Sequence, residues 1–149
     1  MADRYKLIPE VYLILERGEQ VLLLRRFQTG YEDGRYGLVA GHLEAGESAV
    51  AGIIREAREE AGMVLREQDL RLVHTVHRNV GEGRMGLFFR CRRWSGEPVN
   101  AEPHKCDDLS WFSYDRLPEN VIPYIGQALT LARAGKAYSD VGWDQTSPV

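Results

Sequence analysis

The sequence is poor in cysteine, in long apolar runs and in excess positive charge, and each shortage excludes a class of protein. Its two cysteines, Cys91 and Cys106, lie 15 positions apart, a separation that matches no metal-ligand or redox motif. We therefore expect two reduced thiols packed in the interior, with a disulfide between them as the alternative. A disulfide-rich scaffold is excluded.

No apolar run approaches the length of a membrane span. The longest runs, Val11 to Leu15 and Val21 to Leu24, are far shorter than the roughly 20 residues that cross a bilayer. The opening residues, Met-Ala-Asp-Arg-Tyr-Lys, lack the apolar segment and cleavage site of a secretory signal. We therefore expect a cytoplasmic protein that has no membrane partner.

Positive charge is not in excess either, since 19 Lys and Arg residues stand against 22 Asp and Glu residues, for a net charge of −3. A domain that binds nucleic acid through many phosphates usually carries a basic excess, so a nucleic-acid partner is not expected. With 149 residues, of which 44% are hydrophobic, the chain has the length and composition of one globular domain over 1–149.

Apolar spacing predicts two helices. The residues with helical spacing in the first are Val50, Ile53, Ile54, Ala57 and Ala61. Ser48 precedes them as a predicted N-cap and Gly62 follows as a stop signal, which predicts a helix over 48–61. A second helix is predicted from Pro123, which suits a first helical turn, to a stop at Gly135.

Short β-prone segments surround these helices. They are Val11–Leu15, Val21–Arg26, Tyr36–Ala40, Leu72–His77, Met85–Cys91 and Leu109–Tyr114. Arg17-Gly18-Glu19 reads as a hairpin turn between the first two. Residues 137–149 show no clear periodicity, and we expect part of this tail to be mobile. The pattern predicts an α/β protein in which helices pack on the faces of a mixed sheet.

Three carboxylates share one side of the first predicted helix. At about 100° per residue, Glu56, Glu59 and Glu60 form a continuous stripe beside the apolar face. For a glutamate-rich helix taken alone, the simpler interpretation is a solvated acidic face offset by Arg55 and Arg58. The alternative is a site for a divalent cation, since Mg²⁺ prefers carboxylate oxygens and commonly binds together with substrate phosphates.

The residues in front of the helix favour the cation site. The chain reads Gly41-x5-Glu47-x7-Arg55-Glu56-Ala57-x-Glu59-Glu60-x-Gly62-Met63. This segment, 41–63, fills every fixed position of the Nudix box, and the chain resembles the Nudix hydrolase family. Ala57 is smaller than the aliphatic residue that is usual at its position. The resemblance implies an α/β/α sandwich that hydrolyses a nucleoside diphosphate linkage with Mg²⁺ or Mn²⁺.

The resemblance also implies roles for individual residues. The implied metal ligands are Glu56, Glu59, Glu60 and the main-chain carbonyl of Ala40. Glu59, Glu60, Glu47 and Arg55 are implied in catalysis, with one of the carboxylates or a metal-bound hydroxide helping to activate water. Glu47 is spaced to turn back toward the helix, where it would pair with Arg55 and fix the loop, or contribute to metal binding.

Residues outside the box are candidates for completing the site. A further carboxylate often joins sites of this family, and we expect it at Glu102, in a loop before a predicted strand, with Glu97 as the competitor. Arg26 follows an apolar strand, where some relatives place an arginine against substrate phosphate. Arg84 is the weaker option for that role.

Substrate preference rests on the segment from Leu117 to Pro123. It resembles the segment that supplies a base-reading asparagine in MutT-like nucleoside triphosphate pyrophosphohydrolases, which places Asn120 against a nucleobase; a helix cap is the alternative. We therefore expect hydrolysis of a nucleoside triphosphate, oxidised ones included, to the monophosphate and pyrophosphate. ADP-ribose, nucleotide sugars and dinucleoside polyphosphates are alternative substrates. A nucleotide-sensing module without catalysis is the rival class, and a homodimer is a candidate state because homodimers are common in the family.

Overall fold

Eight strands and two α-helices lie within residues 2–144, the part of the chain that the computed structural model describes. The strands are β1 (Leu7–Arg17), β2 (Gln20–Arg26), β3 (Tyr36–Gly37), β4 (Val39–His42), β5 (Leu70–Asn79), β6 (Gly83–Cys91), β7 (Cys106–Ser113) and β8 (Tyr138–Val141). The helices are α1 (Ala49–Ala61) and α2 (Pro123–Arg133), and single 3-10 turns cover Glu67–Asp69 and Tyr114–Arg116. Each predicted segment overlaps an observed element.

The strands form one mixed sheet that divides between β1 and β2. Its order is β3-β2-β1-β6-β5-β8; β1 runs parallel to β6 and β5 parallel to β8, and the other pairs are antiparallel. β1 and β2 pair only next to their turn, at Glu16 with Val21 and at Arg17 with Gln20. Farther along, β4 lies beside β1, whereas β3 and β7 lie beside β2. A cleft therefore opens between the two halves of the sheet.

Alternate residues of β1 face two hydrophobic cores. Val11, Leu13 and Leu15 pack in the core that contains the buried face of α1, and Tyr12 and Ile14 pack in the core that contains α2. Because successive side chains of a strand point to opposite faces of the sheet, the two helices cover opposite faces. The predicted α/β/α sandwich is confirmed.

The first helix begins and ends where the sequence indicates. The Ser48 hydroxyl accepts a hydrogen bond from the Ala51 N–H at 3.1 Å, which satisfies an amide that has no partner within the helix. Gly62 ends the helix in the left-handed region, at φ 64°, a conformation that glycine adopts without steric cost. These two local signals fix the position of the acidic stripe along the chain.

Two expectations about the elements are wrong, and a third is only partly described. The predicted strand Tyr36–Ala40 is divided at Leu38 into β3 and β4, because its two ends pair with different strands. The tail 137–149 lacks periodicity but includes β8, which pairs with β5; whether its remainder is mobile stays a prediction, because residues 145–149 lie outside the described part. Asn120 does not cap α2, because the helix begins at Pro123 and Ile122 takes the N-cap position.

The cysteines are as expected. Cys91 and Cys106 are both buried and free, and burial raises the pKa of each thiol. Neither α-helix within residues 2–144 is long and apolar enough to cross a membrane.

Candidate active site

The cleft in the sheet forms a cavity of about 1210 Å³, walled by β1 to β4, by the segment after β2, by the acidic face of α1 and by the start of α2. This volume exceeds the roughly 300–1,000 Å³ of common ligand pockets. The predicted site residues that line it are Arg26, Ala40, Arg55, Glu56, Glu59, Glu60 and Glu102. Glu47 and Asn120 do not contribute to its lining. The topology thus brings residues from four separate parts of the chain to one cavity.

Glu60 is fixed from β4. The backbone N–H of Ala40 donates to Glu60 Oε2 at 2.8 Å. Burial of the carboxyl group, together with the negative charges of Glu56 and Glu102, raises the pKa of Glu60 well above its ordinary value, although the Ala40 N–H and the charge of Arg26 oppose the rise. A nearby positive charge would relieve this repulsion.

Glu56 is buried against Gly41. A side chain at Gly41 would collide with Glu56 Oε1, so the glycine makes room for the carboxylate. Burial raises the pKa of Glu56 and Arg55 opposes the rise, while the charges of Glu59 and Glu102 add to it. The first glycine of the box therefore has a steric role: it leaves space for the Glu56 carboxylate.

Arg55 ties the loop before α1 to the acidic face. Its Nε and Nη2 donate to the two carboxylate oxygens of Glu47 at 3.0 and 2.8 Å, a bidentate geometry that suits guanidinium. Its Nη1 donates to Glu56 Oε1 at 2.9 Å and to Glu59 Oε2 at 3.2 Å. The bonds from Arg55 lower the pKa of Glu47 to about 2. Of the two roles predicted for Glu47, the geometry matches the pairing with Arg55.

Oxygen donors of the kind that hard divalent cations prefer gather at this end of the cavity. They belong to Glu56, Glu59, Glu60 and Glu102, which all line the cavity. Among residues 2–144, no three acidic, histidine or cysteine side chains stand in a ligating arrangement, and the Arg55 guanidinium takes up one oxygen each of Glu56 and Glu59. The donor chemistry fits Mg²⁺ or Mn²⁺, and the raised pKa values of Glu56 and Glu60 fit a site that gains from a cation.

The two carboxylates that compete for the outer position lie in different surroundings. Glu102 lines the cavity, close enough for its charge to raise the pKa values of Glu56 and Glu60. Glu97 is exposed and pairs with Arg17 at 3.3 Å, outside the cavity lining. The geometry favours Glu102.

Arg26 and Asn120 both help to hold the segment that follows β2. Arg26 Nε donates to the Tyr31 carbonyl at 2.6 Å and its Nη2 donates to Thr29 Oγ1 at 3.1 Å. Asn120 Nδ2 donates to the Gly34 carbonyl at 2.8 Å. Arg26 also lines the cavity and can face a phosphate there, whereas the Asn120 amide nitrogen is engaged by the backbone.

A second charged cluster in the cavity was not predicted from the sequence as a unit. Glu10 is buried and accepts hydrogen bonds from the Tyr12 hydroxyl at 2.9 Å, from Arg78 Nη2 at 3.1 and 3.2 Å and from Arg84 Nη1 at 2.8 Å. Burial acts to raise the pKa of Glu10, but the two arginines outweigh it, and the pKa is lowered. Arg84, the weaker option for a phosphate-binding arginine, is thus engaged by a carboxylate.

The same cluster reaches α2 through Tyr124. Because the Tyr12 hydroxyl donates to Glu10, the Tyr124 hydroxyl donates to Tyr12 across 2.7 Å. The Arg78 guanidinium lies 3.9 Å from the centroid of the Tyr124 ring. The sequence signal for this cluster is Glu10, a charged residue directly before the apolar run Val11 to Leu15.

Comparison with known proteins agrees with this geometry. A family model described as NUDIX domain matches residues 6–131. The NAD-capped RNA hydrolase NudC of Pseudomonas aeruginosa is 34% identical over 113 residues, which cover 76% of this chain and 38% of that protein. The NAD-capped RNA hydrolase NudC of Pectobacterium carotovorum is 27% identical over 119 residues, which cover 78% and 44%. This chain therefore spans less than half the length of these curated relatives.

Solved structures of Nudix hydrolases share the fold of this chain. The MutT NUDIX hydrolase from Burkholderia pseudomallei superposes with a TM-score of 0.77 at 26% identity, over 84% of this chain and 97% of that one. A NUDIX hydrolase from Nitrosomonas europaea superposes with a TM-score of 0.75 at 25% identity, over 89% and 93%. Since the family model covers most of the sequence, the resemblance seen in the box extends to the whole fold, and the chain belongs to the Nudix hydrolase family.

Proposed function

We propose that this chain hydrolyses a nucleoside triphosphate to the monophosphate and pyrophosphate with the help of Mg²⁺ or Mn²⁺. The observation that carries the proposal is the convergence of Glu56, Glu60 and Glu102 on one cavity, with the Arg26 guanidinium near enough to act on Glu60. Like-charged carboxylates that are buried or partly buried, beside an arginine that can bind phosphate, suit metal-assisted phosphoryl chemistry better than they suit stability. Divalent metals are typical of the family.

The cation would be held by the oxygens of Glu56, Glu59, Glu60 and Glu102 and by the Ala40 carbonyl. When bound, it lowers the pKa of water and neutralises charge on the phosphate oxygens. To hold the cation, Glu56 and Glu59 would offer the oxygens that now accept from Arg55, while Arg55 would keep its two bonds to Glu47.

The other steps of the reaction are assigned to residues of the chain. Glu60, which lines the cavity and accepts a hydrogen bond from the Ala40 N–H, is the group we assign to accept the proton of the attacking water. The water oxygen forms a bond to the α or the β phosphorus, and the P–O bond of the α–β anhydride breaks. Its electron pair leaves with the departing group, which is pyrophosphate for attack at the α phosphorus and the nucleoside monophosphate for attack at the β phosphorus. Arg26 stabilises the charge that develops there. Arg55 and Glu47 position the loop and the helix rather than touching the reacting atoms.

A second candidate is hydrolysis of a dinucleotide pyrophosphate, such as the NAD cap of an RNA. It is favoured by the two relatives at 34% and 27% identity, both of which are NAD-capped RNA hydrolases. If this candidate is right, the chain has an RNA partner, whereas the net charge of −3 predicts no nucleic-acid partner. The triphosphate rests instead on the resemblance to MutT-like pyrophosphohydrolases, with which the MutT NUDIX hydrolase neighbour, covered over 97% of its length, agrees.

A substrate panel with Mg²⁺ tests these choices. It includes ordinary and oxidised nucleoside triphosphates, ADP-ribose, a nucleotide sugar, a dinucleoside polyphosphate, NAD and NAD-capped RNA. The proposal predicts the highest kcat/KM for a nucleoside triphosphate, with pyrophosphate as product. A higher kcat/KM for NAD or NAD-capped RNA would establish the second candidate. Binding of nucleotides without hydrolysis of any compound would favour the sensing module.

A further inference from the structure

Tyr31 presents an aromatic ring at the rim of the cavity. It is 49% exposed and lines the cavity, but it belongs to neither hydrophobic core. A large aromatic side chain that is not needed for packing and stands at a ligand cavity is a candidate contact for a planar ligand.

The backbone of Tyr31 is anchored independently of its ring. Its carbonyl accepts from Arg26 Nε at 2.6 Å and from Thr29 Oγ1 at 2.9 Å. The Arg26 guanidinium also lies 5.3 Å from the centroid of the ring, so one side of the ring faces a cation. The exposed remainder of the ring is available to a ligand.

The segment that carries Tyr31 holds an unfavourable backbone conformation. Gln28 and Glu32 are non-glycine residues with φ 53°, and both line the cavity. Asp33 holds the segment by accepting from the Thr29 and Gly30 N–H groups. Strain of this kind persists where hydrogen bonds enforce it, and it concentrates at ligand sites.

Tyr31 lies beside a residue that faces the phosphates in the proposed function. The Arg26 guanidinium, 5.3 Å from the centroid of the Tyr31 ring, lines the same cavity as Glu60. Tyr124, at the start of α2, also lines this cavity. A nucleotide whose phosphates lie at Glu60 and Arg26 therefore has its base in the cavity that the Tyr31 ring lines.

We propose that Tyr31 is the stacking platform for the nucleobase of the substrate. The base lies on the exposed part of the ring, and Arg26 on the other side polarises it. Every nucleobase has a π-face, so stacking here favours nucleotides over phosphate compounds without a base and distinguishes little among bases. The inference rests on the proposed function for the position of the phosphates.

The test compares binding of two ligands to the full chain in Mg²⁺, by titration calorimetry. The ligands are guanosine 5′-(α,β-methylene)triphosphate and inorganic tripolyphosphate, which share a triphosphate but differ in the nucleoside. Tyr31→Ala is expected to weaken nucleotide binding about 5- to 150-fold and to leave tripolyphosphate binding within about twofold. Its Arg26 bond survives because the acceptor is the backbone carbonyl.

Two further variants complete the design. Tyr31→Phe keeps the ring and is expected to bind the nucleotide within about threefold of the wild type. Tyr138→Ala removes a tyrosine that is 55% exposed outside the cavity lining, and it should change neither affinity. Unchanged nucleotide binding in Tyr31→Ala, an equal loss for both ligands, or a wild type without preference for the nucleotide would each overturn the proposal.

The binding test and the hydrolysis test can give opposite results, so the failure of one proposal can be distinguished from the failure of the other. If the wild type hydrolyses nothing but Tyr31→Ala loses nucleotide binding selectively, the stacking platform stands and the proposed catalysis does not. If the wild type hydrolyses nucleotides and Tyr31→Ala binds them as well as the wild type, the catalysis stands and the platform does not.

Discussion

The backbone N–H of Ala40 donates to Glu60 Oε2 at 2.8 Å, so the strand before the glycine loop holds the last carboxylate of the acidic stripe. The next residue, Gly41, leaves the space that Glu56 occupies. β4 and α1 are therefore fitted to each other at the positions where the proposed chemistry takes place. The box is a continuous stretch of sequence because strand, loop and helix form one unit.

Replacing Arg55 with lysine should disturb this unit without removing its charge. A lysine ammonium cannot reproduce the two parallel bonds to Glu47, so the loop loses its anchor. We expect kcat to fall about tenfold or more, with a smaller change in KM. Arg58→Lys, on the exposed side of the same helix, is the matched control and should behave as the wild type. A wild-type kcat in Arg55→Lys would show that the two parallel bonds from Arg55 to Glu47 are not needed for catalysis.

The same pair makes stability depend on pH. The Glu47 carboxyl has a pKa of about 2 in the folded chain, against an ordinary value of 4.5, so the unfolded chain binds the proton first as pH falls. The stabilisation is therefore complete above about pH 4.5 and is lost between pH 4.5 and pH 2. Urea unfolding in metal-free buffer should show that Glu47→Gln differs from the wild type at pH 6 and converges with it near pH 2. A difference independent of pH would contradict this prediction.

Glu10 and Arg78 form a buried ion pair in which each charge requires the other. Glu10→Gln leaves two arginines facing a neutral group, and we expect a loss of about 3–5 kcal/mol in the free energy of unfolding. Arg78→Met should cost a similar amount, since it leaves Glu10 with fewer donors. In the double variant Glu10→Gln/Arg78→Met, the loss should be smaller than the sum of the single losses. Additive losses in urea unfolding would show that the two groups act independently.

Glu102 and Glu97 give a matched pair for the outer carboxylate. If Glu102 contributes to the cation site, Glu102→Gln should raise the Mg²⁺ concentration that gives half the maximal rate by about tenfold or more. Glu97→Gln removes a carboxylate that pairs with Arg17 at the surface and should leave that concentration unchanged. The prediction fails if the two variants respond alike.

The parts of the fold that were predictable from the sequence are those set by local signals. Ser48 and Gly62 bound α1 because a cap and a left-handed glycine act within one helical turn. The clustering of the box residues at one cavity was predictable for the same reason, since they lie on that helix and its preceding loop; their roles stay predictions. Periodicity alone did not show how Tyr36–Ala40 divides between two partner strands.

Contacts between distant strands were not predictable from a single sequence. Glu10 and Arg78 are 68 positions apart and meet because β6 lies between β1 and β5. β8 has four residues, too few to show a period, and it is a strand because β5 offers it backbone partners. Tyr31 depends on a segment whose backbone conformation follows from its hydrogen bonds to Arg26 and Asp33 rather than from a recognisable turn sequence.

The most direct test of the central claim is the rate of pyrophosphate release from the preferred nucleoside triphosphate by the wild type and by Glu60→Gln, at saturating Mg²⁺. Glutamine keeps an oxygen that can accept from the Ala40 N–H, so the variant should retain the wild-type Tm in the absence of metal. We predict a fall in kcat of about 100-fold or more, because the proton acceptor and one ligand charge are lost together. A folded Glu60→Gln variant that releases pyrophosphate at the wild-type rate would contradict the account.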